Sequence, residues 1–282
     1  MRTALLTAVT LLAFAGNSLL CRAALRDGAI DPLSFTALRL VSGALVLLPL
    51  VRRPDAPWSP RAALALAGYA VAFSLAYLSL DAGVGALLLF GSVQVTMFTV
   101  GWRRGERLSR LQSLGLAAAV AGLLALLLPG ATAPDPTGAA LMVLAGVGWG
   151  AYSLCGRGAP APTVATARNF ALAAPLALLA LPFASFEVTA TGAWLAVASG
   201  AGTSGLGYVV WYAALRGLDA TRAAVVQLAV PVIAALGGAV LLGEAPGARL
   251  VVAGGVVLGG VATVVLAGRP EVRPQPASRR GP

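Results

Sequence analysis

The chain has 282 residues, of which 59% are hydrophobic and 11% charged, whereas soluble domains typically contain about 45–50% apolar and about 25% charged residues. This composition excludes an ordinary soluble enzyme or nucleic-acid-binding domain and predicts a polytopic membrane protein. The formal net charge is +10, with no histidine, and we expect the charge to lie against lipid headgroups rather than nucleic acid.

The first element, MRTALLTAVTLLAFAGNSLLC, has the pattern of a signal peptide. Leu20 precedes Cys21, and this bulky residue stands where signal cleavage requires a small one. We therefore predict a retained first helix. Two cysteines without histidine do not suit a zinc site, and we expect no metal or other cofactor.

The remaining apolar runs continue at helical length to residue 267. Runs of about 18–22 residues suit a bilayer core of about 30 Å, and Pro, Gly, Asp and Arg punctuate the connections between them. The predicted fold class is an all-α integral membrane protein with ten transmembrane helices, followed by a disordered tail, 269–282. The predicted spans are 3–21, 34–51, 60–80, 82–102, 111–128, 137–155, 163–182, 192–215, 221–242 and 247–267.

The distribution of arginine predicts the orientation of these spans. With a cytoplasmic N-terminus, the outer connections contain only Arg22, Arg26 and Arg249. The inner ones contain fifteen arginines: Arg2, Arg52, Arg53, Arg61, Arg103, Arg104, Arg107, Arg110, Arg157, Arg216, Arg222, Arg269, Arg273, Arg279 and Arg280. By the positive-inside rule, both termini lie in the cytoplasm of a bacterial cell, with the chain in its inner membrane.

An internal repeat divides the chain into residues 1–131 and 132–268. GERLSRLQSLGLAAAVAGLLALLL, from Gly105, returns as GEAPGARLVVAGGVVLGGVATVVL, from Gly243, and the arginine of FTALRLVSG (Arg39) corresponds to that of VATARNFAL (Arg168). Each half contains five spans, an odd number, so the second half enters the membrane inverted. Inverted repeats are typical of alternating-access transporters, with substrate bound near the midplane.

The GE dipeptide after spans four and nine, the early arginine in spans two and seven, and the stretch YVVWYAALRGLDATRAAVVQLAVPVIAALGGAVLLGE from Tyr208 resemble the EamA-type branch of the drug/metabolite transporter superfamily. The resemblance extends from about residue 5 to residue 267. The members of this branch that resemble the chain in length and ten-span layout include the YddG-type amino-acid exporters. It implies an inner-membrane exporter of small metabolites, amino acids first among them.

Aromatic residues inside spans three and eight are the first candidates for a substrate cavity. Tyr69, Phe73 and Tyr77 share one face of span three, and Ser204, Tyr208, Trp211 and Tyr212 share one face of span eight. The alternative is helix packing or an interfacial aromatic belt. Further polar or aromatic candidates inside the spans are Gln94, Gln227, Asn17, Trp149, Tyr152 and Asn169; the two glutamines serve equally as glue between helices.

Glycine is dense in spans six, eight and ten. The runs GVGWG (146–150) and GAGTSGLG (200–207), with Gly255 and Gly259, predict close helix contacts. Span eight is also a candidate hinge.

Arg39 and Arg168 are the charged residues that lie deeper than the first turn of a predicted span. Both lie shallow, at opposite membrane faces, and their side chains are long enough to reach the surface. Three roles follow: a membrane anchor, a gate in which Arg39 pairs with Asp27 or Asp31, and direct contact with a substrate.

The acidic residues all lie in connections, at helix ends or in the tail, which favours facilitated diffusion over proton coupling. The absence of a nucleophile–base pair or metal cluster predicts that the chain is not an enzyme. Alternative functions are an exporter of drugs, a nucleotide-sugar or sugar-phosphate exchanger, and a receptor or scaffold that transports nothing. The expected partners are membrane lipids and a small-molecule substrate, without nucleic acid, in a monomer or a homodimer.

Overall fold

The computed structural model describes residues 2–51, 58–103, 109–128, 130, 133–156, 161–215 and 226–267. This part of the chain forms ten helices, which confirms the predicted all-α membrane fold. The helices are α1 (Arg2–Leu25), α2 (Pro32–Leu47), α3 (Pro60–Ala76), α4 (Ala82–Arg103), α5 (Arg110–Leu127), α6 (Pro136–Gly156), α7 (Pro162–Leu178), α8 (Ala190–Val197, Ala198–Leu206 and Gly207–Leu215 in succession), α9 (Ala229–Leu242) and α10 (Ala248–Leu266). The predicted tail and the predicted boundary between the halves, 131–132, lie outside the described residues.

Local signals explain where the helices begin and end. Asp31, Ser59 and Thr189 accept hydrogen bonds from backbone N–H groups in the first turns of α2, α3 and α8, which satisfies donors that have no partner within the helix. Ser109 and Gln112 form a reciprocal capping box at the start of α5. At the other end of a helix, Gly243 adopts φ 69° and terminates α9.

Length and hydropathy qualify five of the described helices to cross a bilayer by themselves: Arg2–Leu25, Pro32–Leu50, Ala82–Gly101, Arg110–Leu127 and Pro136–Cys155. Three more apolar helices are shorter: Pro60–Ala76, Ala229–Leu242 and Ala248–Val264. Membrane proteins accommodate a hydrophobic length that differs from the bilayer thickness by tilting helices or by deforming the bilayer locally.

Helix contacts follow a two-fold pattern. Helix α3 packs on α6 as α1 packs on α8, α4 packs on α6 as α1 packs on α9, and α2 packs on α8 as α7 packs on α3. Helix pairs α2–α7, α4–α9 and α5–α10 contact each other directly. Each of these contacts is reproduced when the first five helices are exchanged for the last five, a pattern that two inverted repeats would produce.

The predicted role of glycine in close packing holds at some positions and fails at others. A Cβ atom at Gly146 would lie 2.8 Å from the Leu89 carbonyl oxygen, and one at Gly200 would lie 2.7 Å from the Arg39 Cα atom. The prediction was wrong for Gly202, Gly255 and Gly259, where an added Cβ atom would meet nothing within 4 Å. The register of α10 places Gly260, not its neighbours, against α5.

Helix α8 widens at its centre. Residues Ala198–Leu206 form a π-helical segment between two α-helical ones, in the glycine-dense stretch that the sequence marks as a hinge. π-Helical segments are rare and occur frequently at functional sites. The segment packs against α1 and α2 and brings its polar side chains to the centre of the bundle.

Candidate functional site: an aromatic cavity between the repeats

A small cavity of about 20 Å³ lies at the centre of the bundle in this conformation, which is room for about one water molecule. Side chains from both halves of the chain surround it, and we call it the aromatic cavity. Its lining residues are Phe14, Asn17, Ser18, Tyr69, Phe73, Leu89, Phe90, Trp149, Thr203, Ser204 and Tyr208.

The aromatic rings of the cavity contact one another in a continuous series. The ring centroid of Trp149 lies 5.0 Å from those of Tyr69 and Tyr208, and Tyr208 lies 5.9 Å from Phe14 with the rings nearly perpendicular. Phe73 extends the series to Tyr77, 4.8 Å away. Edge-to-face and offset rings of this kind stabilise one another beyond simple burial, and they give the cavity an apolar wall with polarisable faces.

One side of the cavity is polar. The Asn17 side-chain oxygen accepts hydrogen bonds from the hydroxyls of Ser199, at 2.7 Å, and Ser204, at 3.3 Å. The Asn17 amide nitrogen donates to the Tyr69 hydroxyl oxygen at 3.5 Å. We call Asn17, Arg39, Tyr69, Ser199 and Ser204 the Arg39 cluster. It joins α1, α2 and α3 to the π-helical segment of α8.

Arg39 corrects a prediction. Its side chain is 1% exposed, so it does not reach the membrane surface. Instead Nε donates to the Ser204 hydroxyl at 3.1 Å and Nη2 to the Tyr69 hydroxyl at 3.0 Å, and the guanidinium lies 5.2 Å and 5.0 Å from the ring centroids of Tyr69 and Phe73. Helix α2 begins at Pro32 rather than Ser34, and the face that carries Arg39 points into the bundle.

The predicted acidic partners of Arg39 are engaged elsewhere. Asp27 pairs with Arg26 at 3.1 Å, and Asp31 accepts from the backbone N–H groups of Leu33 and Ser34 as the cap of α2. The predicted ion pair between Arg39 and either aspartate is therefore wrong. The Arg39 guanidinium points into the bundle, whereas both carboxylates lie in the loop before α2.

Arg168, the counterpart of Arg39 in the internal repeat, has a different environment and contacts Trp58. Its guanidinium stacks over the Trp58 ring, 4.9 Å from the centroid. Trp58 precedes α3 and Arg168 lies in the second turn of α7, so this contact joins two helix beginnings at the end of the bundle that we predict to face the cytoplasm.

The other sequence candidates divide into those that line the cavity and those behind it. Asn17, Phe73, Trp149 and Tyr208 line it, as do Tyr69 and Ser204. Behind them lie Tyr77, Tyr152 and Trp211, which contact the lining rings of Phe73, Trp149 and Phe14 respectively. Gln94 and Asn169 are buried in α4 and α7, and Gln227 is half-buried before α9; the side chain of Tyr212 lies outside the described residues.

Several lining residues were not predicted from the sequence. Phe14, Leu89 and Phe90 line the cavity, yet as apolar residues in apolar helices they carry no signal that separates them from lipid-facing neighbours. Ser18 and Thr203 stand beside the predicted Asn17 and Ser204, and this adjacency was the available signal.

An ion-pair network closes the end of the bundle at which α1 ends, the end we predict to face outward. Arg22 Nε donates to Glu244 Oε1 at 2.7 Å, and Arg22 Nη2 lies 3.3 Å from Asp81 Oδ1. The second Glu244 oxygen accepts from the backbone N–H of Ala82 at 2.8 Å. This outer ion-pair network, Arg22, Asp81 and Glu244, ties α1 and the α3–α4 connection of one repeat to the α9–α10 connection of the other.

The comparisons with known proteins agree with this architecture. Residues 136–266, which begin at the first residue of α6, match the model of the EamA-like transporter family. Uncharacterized protein PA1977 of Pseudomonas aeruginosa is 57% identical over 273 residues, an alignment that covers 94% of each chain. A protein of known crystal structure that is 23% identical superposes with a TM-score of 0.67, covering 95% of this chain and 98% of the other, and at this identity the likeness concerns the fold.

Proposed function

Because the chain belongs to the EamA-like transporter family, we propose that it exports small metabolites, amino acids first among them, across the bacterial inner membrane. Membrane transport follows from the family. The substrate class, the direction and the membrane are our proposal, with both termini in the cytoplasm as the arginine distribution predicts.

The observation that carries the proposal is the aromatic cavity. It lies where α1, α3, α4, α6 and α8 meet, and it combines a wall of aromatic rings with the polar Arg39 cluster. A mostly apolar pocket with a few convergent polar groups is typical of a site for a small molecule, and its position between inverted repeats suits alternating access.

The mechanism we propose moves the two repeats about the cavity. The outer ion-pair network holds the outer end together in the conformation described here, and release of substrate to the outside requires Arg22 to separate from Glu244. The glycine-rich π-helical segment of α8 lies against the Arg39 cluster, so a change in the cavity is transmitted directly to this hinge.

Counterflow in proteoliposomes tests the function. We expect a panel of radiolabelled amino acids to exchange across the membrane, and we expect an imposed pH gradient to change the rate by less than about twofold. The reason is that the side chains lining the cavity in the described residues include no carboxylate, and proton-coupled carriers use acidic or histidine relays inside the membrane. Exchange of drugs or sugar phosphates without any amino acid would favour the alternative exporters, and no exchange of any compound would favour a receptor or scaffold.

Replacing Trp149 with alanine tests whether the cavity is the transport site. Trp149 contacts Tyr69, Tyr152 and Tyr208, so its loss opens the wall on which a substrate would stack, and we expect counterflow to fall about tenfold or more, equivalent to about 1.4 kcal/mol. Trp194 in α8 is the matched control, because it is 73% exposed on the outside of the bundle. Equal counterflow by Trp149→Ala and Trp194→Ala would remove the cavity from the mechanism.

A further inference from the structure

We propose that the Arg39 cluster is a carboxylate-binding site, and that substrates are recognised by a carboxylate while an α-amino group is dispensable. The inference rests on the proposed function for the cavity and names the chemical class of its ligand.

The positive charge of Arg39 is not compensated by a neighbouring carboxylate among the described residues. Arg39 is buried. Two of its nitrogens donate to hydroxyls, and the third, Nη1, is buried without a hydrogen-bond partner. A buried guanidinium is costly unless it is paired and hydrogen-bonded. An anion that binds beside it therefore gains both a charge partner and unused donors.

The polar groups around Arg39 also present hydrogen-bond donors. The Tyr69 hydroxyl oxygen accepts from Arg39 and from Asn17, so the hydroxyl proton of Tyr69 remains available to a ligand. The one acceptor of the Asn17 side chain is already used by Ser199 and Ser204. The cluster thus offers donors and has no unoccupied carboxylate oxygen for an ammonium group, which matches a carboxylate and not an amine.

The Arg39 cluster adjoins the aromatic lining of the cavity. Tyr69, Phe73 and Ser204 contact the Arg39 guanidinium and line the cavity at the same time. The aromatic lining of the cavity continues through Phe14, Phe90, Trp149 and Tyr208. A molecule with a carboxylate at one end and an apolar or aromatic body at the other suits both the cluster and this lining, and the amino group is attracted at most weakly through the ring faces.

The experiment compares L-phenylalanine, 3-phenylpropanoate and L-phenylalaninamide as ligands of the purified full-length protein, by titration of its intrinsic fluorescence. We expect 3-phenylpropanoate to bind within about threefold of phenylalanine and the amide to bind about tenfold or more weakly, equivalent to about 1.4 kcal/mol. Arg39→Gln should weaken both carboxylates about tenfold without changing the amide. Arg249→Gln, which changes an arginine outside the cavity that donates to the Leu128 carbonyl, is the matched control and should behave like the wild type.

The outcomes separate the two proposals. Equal binding of acid and amide by the wild type, or an unchanged acid-to-amide ratio in Arg39→Gln, would overturn the carboxylate site. If Arg39→Gln fails to fold, Arg39→Lys takes its place; this variant keeps the charge and should retain part of the preference for the acid over the amide. The comparison of acid with amide in the wild type needs no variant. Because binding is measured without transport, carboxylate binding without counterflow would count against the proposed export and not against the site.

Discussion

Replacing Gly200 with alanine should impair transport and destabilise the protein, although alanine is the better helix former. A Cβ atom at Gly200 would lie 2.7 Å from the Arg39 Cα atom and closer still to the Arg39 carbonyl oxygen and the Ser42 hydroxyl. The Arg39 backbone cannot move aside without shifting α2. The π-helical segment would therefore separate from α2, and the hydrogen bond from Arg39 to the Ser204 hydroxyl would break.

Overpacking of this kind costs about 1–3 kcal/mol of the free energy of unfolding, against a gain of about 1 kcal/mol from helix propensity. We expect a lower unfolding temperature in detergent and a fall in counterflow of more than about tenfold, because the Arg39 cluster loses its geometry. Gly202 is the matched control, since it lies in the same segment and a Cβ atom there meets nothing within 4 Å. The prediction fails if Gly200→Ala is as stable and as active as Gly202→Ala.

Replacing Glu244 with glutamine should destabilise the outer end of the bundle. Both oxygens of this carboxylate accept hydrogen bonds, one from Arg22 and the other from the Ala82 backbone, and the side chain is 8% exposed. A glutamine must place its NH₂ group against one of these donors. We expect the free energy of unfolding to fall by about 2–4 kcal/mol, because a nearly buried charge pair loses one partner.

Asp81→Asn is the control within the same network. The Asp81 side chain is 51% exposed, and burial, followed by the neighbouring Glu244 carboxylate, raises the pKa of Asp81 against the opposing effect of Arg22. A raised carboxyl pKa means that the folded state disfavours the ionised form, so the contribution of Asp81 to stability is lost as the pH rises through that pKa. Neutralising it should change stability by less than about 1 kcal/mol.

The Glu244→Gln and Asp81→Asn variants also test whether the outer ion-pair network acts as a gate. Cys21 is buried one residue before Arg22 in α1, so a membrane-impermeant maleimide added outside reports whether the outer end opens. In a Cys155→Ser background, which removes the exposed cysteine, Glu244→Gln should label faster than Asp81→Asn. Equal labelling of both variants would remove the outer ion-pair network as a gate.

The positions of the helices were predictable because hydropathy and capping are local properties of the chain. The predicted spans 82–102 and 111–128 coincide closely with α4 and α5, since apolar runs of that length have few alternatives in a bilayer. The repeat was visible for a similar reason, because a duplicated pattern of glycine, glutamate and arginine persists within each half.

The members of the cavity were partly predictable. Polar and aromatic residues within apolar helices, such as Asn17, Trp149 and Tyr208, signal a site because hydrocarbon would not tolerate them without a partner. Phe14 and Phe90 gave no such signal. Their rings are equally suited to lipid, and only the packing of α1 and α4 decides that they face the cavity.

The sequence by itself determined the number of spans, their helical character, the internal repeat and most of the polar residues of the cavity. The tertiary structure decided the environment of each charge. Arg39 was expected at the surface and lies buried beside Tyr69 and Ser204, and Arg22 pairs with Glu244, which is 222 residues away in the chain. The depth and partners of a side chain depend on the rotation of one helix against the next, and that rotation is set by contacts between distant segments rather than by local periodicity.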